Sequence, residues 1–298
     1  SVPVEAGQPD LLIPQPHVAA GKRAGDGPAV SPDGRRWAFV VDGQLHVQAL
    51  DAQGRPSGTP VRVAEELADS ISWAGPDRVL YLSSDAVRVA HLDGTPPTTI
   101  AIPLTWQRRV PEGRLVVHAG RLIDAVSPEP RTDVDIIVDR HRIAAIVPHD
   151  ASHHTGRVID ASRHTIYPGL IEGHAHTLVE HGRNFGFVHL AYGVTSVRDV
   201  GGLPYDELET REAIDSGRRV GPRLFTTGYL LDGIRPYYPM ASPSSSEAAV
   251  DRELLRASRL DYDTFKTYVR LPDTLQRRAI EGAHRLGIPM SSHEIYPA

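Results

Sequence analysis

Tyr167-Pro168-Gly169-Leu170-Ile171-Glu172-Gly173-His174-Ala175-His176 is the stretch on which the fold reading turns. Residues 165–173 are an apolar run that ends in glycine, and two histidines follow at positions i and i+2. Alternate residues of a strand point to the same side, so an extended backbone places His174 and His176 on one face. With 15 histidines among 298 residues, about 0.75 such pairs arise by chance, so the pair gains meaning only from its setting.

That setting is an alternation of strands and helices running to the end of the chain. The expected strands are 165–173, 194–199, 223–228, 264–269 and 288–293, and the expected helices are 184–192, 205–216, 245–260 and 274–286. The third helix is opened by Ser244-Ser245-Ser246 as a cap and carries Ala249, Val250, Leu254 and Leu255 on one stripe. Strand–helix units with short loops imply a parallel sheet with right-handed crossovers. Five strands and four helices predict an incomplete (β/α)8 TIM barrel, about five of eight strands, over residues 166–298. His174 and His176 then sit at the carboxyl end of its first strand, where such barrels keep their active sites. Two imidazoles on one face there can hold a metal ion.

Upstream the grammar differs. Residues 1–30 are rich in Pro, Gly and Ala and read as an irregular lead-in. Over 31–108, strands at 37–41 and 44–50 flank the hairpin signal Asp42-Gly43, and a similar order recurs about 42 residues later at 71–73, 78–82 and 86–92. A period near 40 built from four-strand units predicts β-propeller blades; a small sandwich with coincidental spacing is the alternative. Two blades are too few for a closed ring, which makes this a partial propeller. Short strands at 114–118, 120–124, 134–138, 142–147 and 156–160 predict a compact antiparallel sheet over 109–165.

Composition narrows the function classes. The charge of −5 argues against a nucleic-acid partner, and no long apolar run predicts a membrane span. The absence of cysteine removes thiolate metal ligands, leaving His, Asp, Glu or a modified Lys. The chain starts at Ser1-Val2-Pro3-Val4, without an initiator Met, which suits an excised fragment or a processed protein and leans toward a secreted or periplasmic location. It stops after the strand 288–293, where a fifth helix is expected, which reads as a truncation.

The segment 167–176 resembles the Pro-Gly-hydrophobic-hydrophobic-Asp/Glu-x-His-x-His signature of the amidohydrolase superfamily, with Glu172 where Asp is commoner. Gly193-Val194-Thr195-Ser196-Val197-Arg198-Asp199 is similar to its second-strand segment, Phe265-Lys266-Thr267-Tyr268 to its fourth-strand Ile-Lys-Ile-Tyr, and the run 120–161 to its small β-sandwich. The likeness covers residues 110–298, and the whole resembles a TolB-like β-propeller fused to an amidohydrolase of the prolidase or imidazolonepropionase branch. It implies a metal-dependent hydrolase of C–N bonds in amides, cyclic amides or peptides. It also implies divalent metal ligands at His174, His176, Lys266 and His293, with two zinc ions per complete site and Lys266 carbamylated as the bridge. Tyr268 is implied as a contact for a substrate carboxylate. The remaining ligand and the general-base aspartate are expected beyond Ala298, so this chain is expected to be inactive without a second chain or a C-terminal remainder, and homo-oligomeric when complete. A non-catalytic binding module using the propeller is the alternative, and a deaminase is disfavoured by Lys266. His153 and His154 are expected to be solvated, His284 to face solvent and His181 to lie near the cleft.

Overall fold

Each stretch of chain resolves its own hydrogen-bonding problem in a different kind of sheet. The structure, a computed structural model, describes residues 26–177 and 181–293. The lead-in 1–25 and the end 294–298 therefore lie outside the described residues.

The first four strands, β1 (Ala29–Val30), β2 (Arg36–Val41), β3 (Gln44–Leu50) and β4 (Pro56–Leu67), form an antiparallel meander in that order. Asp42 and Gly43 both have positive φ, 50° and 76°, as a two-residue turn that follows the strand twist requires. A second meander follows from β5 (Asp69–Trp73), β6 (Arg78–Ser83), β7 (Ala86–His91) and β8 (Thr98–Ile100). The repeat seen in the sequence is thus two four-stranded units. Their apolar faces meet in one core, Ala38, Val40, Leu45 and Val47 against Ile71, Val79, Tyr81 and Ala90. Sequence reading passed over β4 because Pro56, Gly58 and Pro60 look like breakers. It is an edge strand, where a residue without an N–H costs no ladder bond.

Next come β9 (Arg114–Leu122), β10 (Arg131–Asp139), β11 (Arg142–Pro148) and, after a 3₁₀ turn Ala151–His153, β12 (Arg157–Ile166). They form one sheet in the order β11-β10-β9-β12. The expectation of a wholly antiparallel sheet is corrected here, since β12 runs parallel to β9. The chain leaves β11 at one edge and crosses through residues 149–156 to the opposite edge, so β12 points the same way as β9. The expected strands 114–118 and 120–124 are one strand. Gly120 permits this, because a Cβ there would lie 1.9 Å from the Ser162 carbonyl oxygen of β12.

From residue 170 the strands are parallel and helices follow β13, β14, β17 and β18, but β15, β16 and β17 succeed one another without a helix, and the single parallel sheet expected is two sheets. β13 (Leu170–Ala175), α1 (Asn184–Ala191), β14 (Val194–Asp199), α2 (Pro204–Asp215) and β15 (Arg223–Phe225) give a sheet ordered β13-β14-β15. β16 (Leu230–Asp232), β17 (Ala241–Pro243), α3 (Glu247–Arg259), β18 (Phe265–Thr267), α4 (Asp273–Arg285) and β19 (Met290–Ser292) give another, ordered β17-β16-β18-β19. The expected strand 165–173 divides at Tyr167-Pro168-Gly169, its first residues ending β12 and its last opening β13. The short β16 and β17 were not foreseen. Three residues carry too little alternation to register.

Ser246 caps α3, its hydroxyl accepting from the Ala249 N–H. Ala249, Val250, Leu254 and Ala257 then face Leu275, Ala279 and Ala283 of α4 in the core over Phe265. Leu255, placed on that stripe from sequence, is instead 54 % exposed, since it sits one residue past the apolar seam. A buried ion cluster joins the meanders to the helices. Arg256 on α3 donates to Asp69 of β5 at 2.7 Å and to Glu253 at 2.8 Å. These antiparallel and parallel sheets, with helices confined to the last part, are consistent with a multi-domain fold. No helix of the described residues is long and apolar enough to cross a membrane.

Candidate functional site

The carboxyl ends of β13, β14, β18 and β19 meet, and with them the four residues singled out as ligands. His174 lies on β13 and His176 just past its end, with ring centroids 5.8 Å apart. His293 follows β19, and its ring centroid is 6.2 Å from that of His174, although the two are 119 positions apart in the chain. Lys266 pairs with Ser291 across the β18–β19 ladder, and its Nζ lies 3.3 Å from His293 Nδ1. Tyr268, one residue beyond β18, has its ring 4.6 Å from His293 and 5.5 Å from Tyr238. All five positions are gathered at one rim.

Asp199 had no role in the sequence reading and proves central to this rim. It is fully buried at the end of β14, directly beside Ala175 in the parallel ladder. One carboxylate oxygen accepts from the Thr177 N–H and hydroxyl, the other from the Gly201 N–H. These bonds fix the turn that carries His176. His176 Nδ1 is 2.7 Å from the Gly201 carbonyl oxygen, so it carries the proton and leaves Nε2 free. Its position at a strand end, in Val-Arg-Asp, was the one available signal. A metal-binding imidazole is ordinarily oriented in this way through its other nitrogen.

The electrostatics differ between neighbours. Asp199, 3.7 Å from His176, raises the pKa of that imidazole. Desolvation and then the positive charge of Lys266 lower that of His174. Lys266 is 3 % exposed, and burial, followed by Arg198, lowers its pKa. Burial and the hydroxyl of Tyr238 push Tyr268 up to about 12, so its phenol stays a hydrogen-bond donor at neutral pH. Three imidazoles around a buried amine form a nitrogen-rich donor set of the kind that suits zinc and its neighbours rather than magnesium or calcium. By donor type the residues suit a transition-metal dication, although the nitrogens of His174, His176 and His293 do not all lie within 4.8 Å of one another. A cavity of about 1030 Å³ lies elsewhere, between the second meander and α2 near Trp106, Phe187 and Leu208.

Of the other histidines, His284 and His181 are exposed. His153 and His154, expected to be solvated, are corrected. Together with His149 they bind the carboxylate of Asp135, which is wholly buried. One ring nitrogen from each of His118, His149 and His154 lies within 4.8 Å of the other two, the one such metal-competent group among the described residues. Sequence gave no hint of it, because its members sit on two segments, β9 and the crossover 149–156, that only the sheet brings together.

No family model matches the sequence, and no curated protein matches it. Solved structures do. A Xaa-Pro dipeptidase with bound methionine in its active site is 20 % identical, with a TM-score of 0.52 over 61 % of this chain and 56 % of that one. An amidohydrolase is 20 % identical at 0.54, covering 62 % and 56 %. A bottromycin amidohydrolase is 24 % identical at 0.51, covering 61 % and 39 %. The likeness is one of fold, and the chain spans about half the length of the first two structures.

Proposed function

We propose that this chain carries part of the active site of a metal-dependent hydrolase that cleaves C–N bonds in amides, cyclic amides or peptides. The supporting observation is the convergence of His174, His176, Lys266 and His293 at one strand-end rim. The fold likeness to a dipeptidase and to amidohydrolases agrees with it. In this reading residues 109–165 form the small sheet domain and 166–298 the first part of a TIM barrel, preceded by propeller-like blades.

His174, His176 and His293 would hold divalent metal, zinc by donor type, with Lys266 beside His293. When bound, the metals supply Lewis acidity toward a carbonyl and lower the pKa of water to about 7. The chain's own residues do the rest. Asp199 and the Gly201 carbonyl hold the His176 ring in place. Lys266 as a bare cation is costly at 3 % exposure. Reaction of its neutral amine with carbon dioxide forms an N–C bond, releases a proton and leaves a carbamate anion, which removes that cost. The Tyr268 phenol, protonated and beside His293, donates to a substrate carboxylate. A further histidine and the general-base aspartate would come from polypeptide outside these strands.

The test is zinc retention after loading with zinc chloride and dialysis, with ¹³C-bicarbonate NMR alongside. Wild type should retain more zinc than the His174→Ala/His176→Ala variant, and a carbamate carbon signal should vanish in Lys266→Met. Equal zinc in both proteins refutes the reading.

A further inference from the structure

A second cluster of imidazoles lies on the small sheet, remote in sequence from the rim just described. His118 of β9 and Asp135 of β10 are direct cross-strand partners, so their side chains leave the same face of the sheet. The opposite face is apolar, with Ala119, Val134 and Ile136 in its core. On the polar face the crossover 149–156 folds back over Asp135. His149 Nδ1 lies 3.0 Å from Asp135 Oδ1, and His154 Nε2 lies 3.3 Å from the same oxygen. His153 Nδ1 and the Asp150 N–H reach the other oxygen. His118 Nε2 is held 2.8 Å from Asp133 Oδ1. The rings of His118 and His149 are stacked at 3.7 Å, and that of His154 is 5.1 Å from His149.

We infer that His118, His149 and His154 form a binding site for a transition-metal dication of the zinc class, separate from the strand-end rim. Three features carry this. Each ring has one nitrogen on a carboxylate, the arrangement by which proteins orient metal-binding imidazoles while leaving the other nitrogen for the ion. One nitrogen from each ring is already within 4.8 Å of the others. With metal–nitrogen distances of about 2.0–2.1 Å, tetrahedral ligands stand about 3.4 Å apart, so closing the site takes a movement on the order of an ångström together with a turn of the stacked His118 and His149 rings that brings both lone pairs onto one ion. Finally, a dication answers the charge of Asp135, which has no contact with water. The side chains of His118, His149 and His154 are 15 %, 25 % and 25 % exposed, so an ion can enter from solvent. Bound there, it would clasp β9 to the crossover 149–156 that leads into β12.

The experiment removes the other candidate site first. The full chain bearing His174→Ala and His176→Ala, both at exposed positions, is titrated with zinc chloride against a chromophoric chelator. One equivalent should bind. Adding His149→Ala should weaken it by more than about 100-fold, and Asp135→Asn by roughly 10–100-fold, as expected for a group that orients a ligand. His118→Asn, whose partner Asp133 is 71 % exposed, should lose zinc with an unchanged far-ultraviolet spectrum, which keeps loss of binding distinct from loss of fold. Absence of zinc in the first protein, or zinc retained unchanged after His149→Ala and His118→Asn, overturns the inference and leaves the imidazoles as partners of Asp135 alone.

Discussion

Replacing Arg256 by Met should destabilise the protein far more than loss of a surface charge. The guanidinium has no exposure and donates to Asp69 at 2.7 Å and to Glu253 at 2.8 and 3.1 Å. It also lies 4.9 Å over the Tyr229 ring. Asp69 and Glu253 are themselves 2 % and 6 % exposed, so Met leaves two carboxylates in the interior with their cation gone. Breaking a buried pair in this way costs about 3–5 kcal/mol. Folded domains hold only about 5–15 kcal/mol in total, so at least about a fifth of the stability disappears. The variant Arg256→Met/Asp69→Leu/Glu253→Leu removes all three charges together and should recover most of the loss, because no ion is then left unpaired. Urea unfolding followed by circular dichroism reads both. The cluster ties β5 to α3, so tryptophan emission from the meanders should separate from the circular dichroism transition in the single variant. A midpoint for Arg256→Met within 1 kcal/mol of wild type by the usual slopes, or a triple variant as weak as the single, would refute the argument.

Other outcomes follow from the same coordinates. Gly120→Ala should lower stability by about 1–3 kcal/mol in thermal unfolding, since the new methyl meets the Ser162 carbonyl and forces β9 from β12. A wild-type melting temperature would show that the strands yield freely. Asp251 is bonded to Arg278 at 2.7 Å, and that bond holds its pKa below 3.8. Its contribution is complete above that value and is lost as pH falls through the lower folded pKa, so Asp251→Asn should flatten the acid side of the stability profile by under about 1 kcal/mol. An acid limb identical to wild type removes this pair from the account.

The part built of parallel strands and helices was the more legible, for reasons visible in its elements. β14 and the four helices stand within two residues of their expected places, and for α3 and α4 the reason is an apolar stripe of helical period facing one core. The hairpin at Asp42-Gly43 was equally plain, being dictated by local φ values. Where partners are distant, sequence was silent. The parallel β9–β12 pairing depends on which way a crossover turns. β4 depends on lying at an edge, and Leu255 on where the seam of α3 ends.

The candidate site divides along the same line. Sequence alone singled out His174, His176, Lys266 and His293 as candidates, and strand alternation put the first two on one face. Only the tertiary structure decided that Asp199 and Gly201 hold His176, that Leu255 faces out, and that His118, His149 and His154 gather around Asp135. The physical reason is that alternation and helical period are properties of neighbours along the chain. An encounter between residues from separate strands is set by how sheets pack, and no local pattern records it.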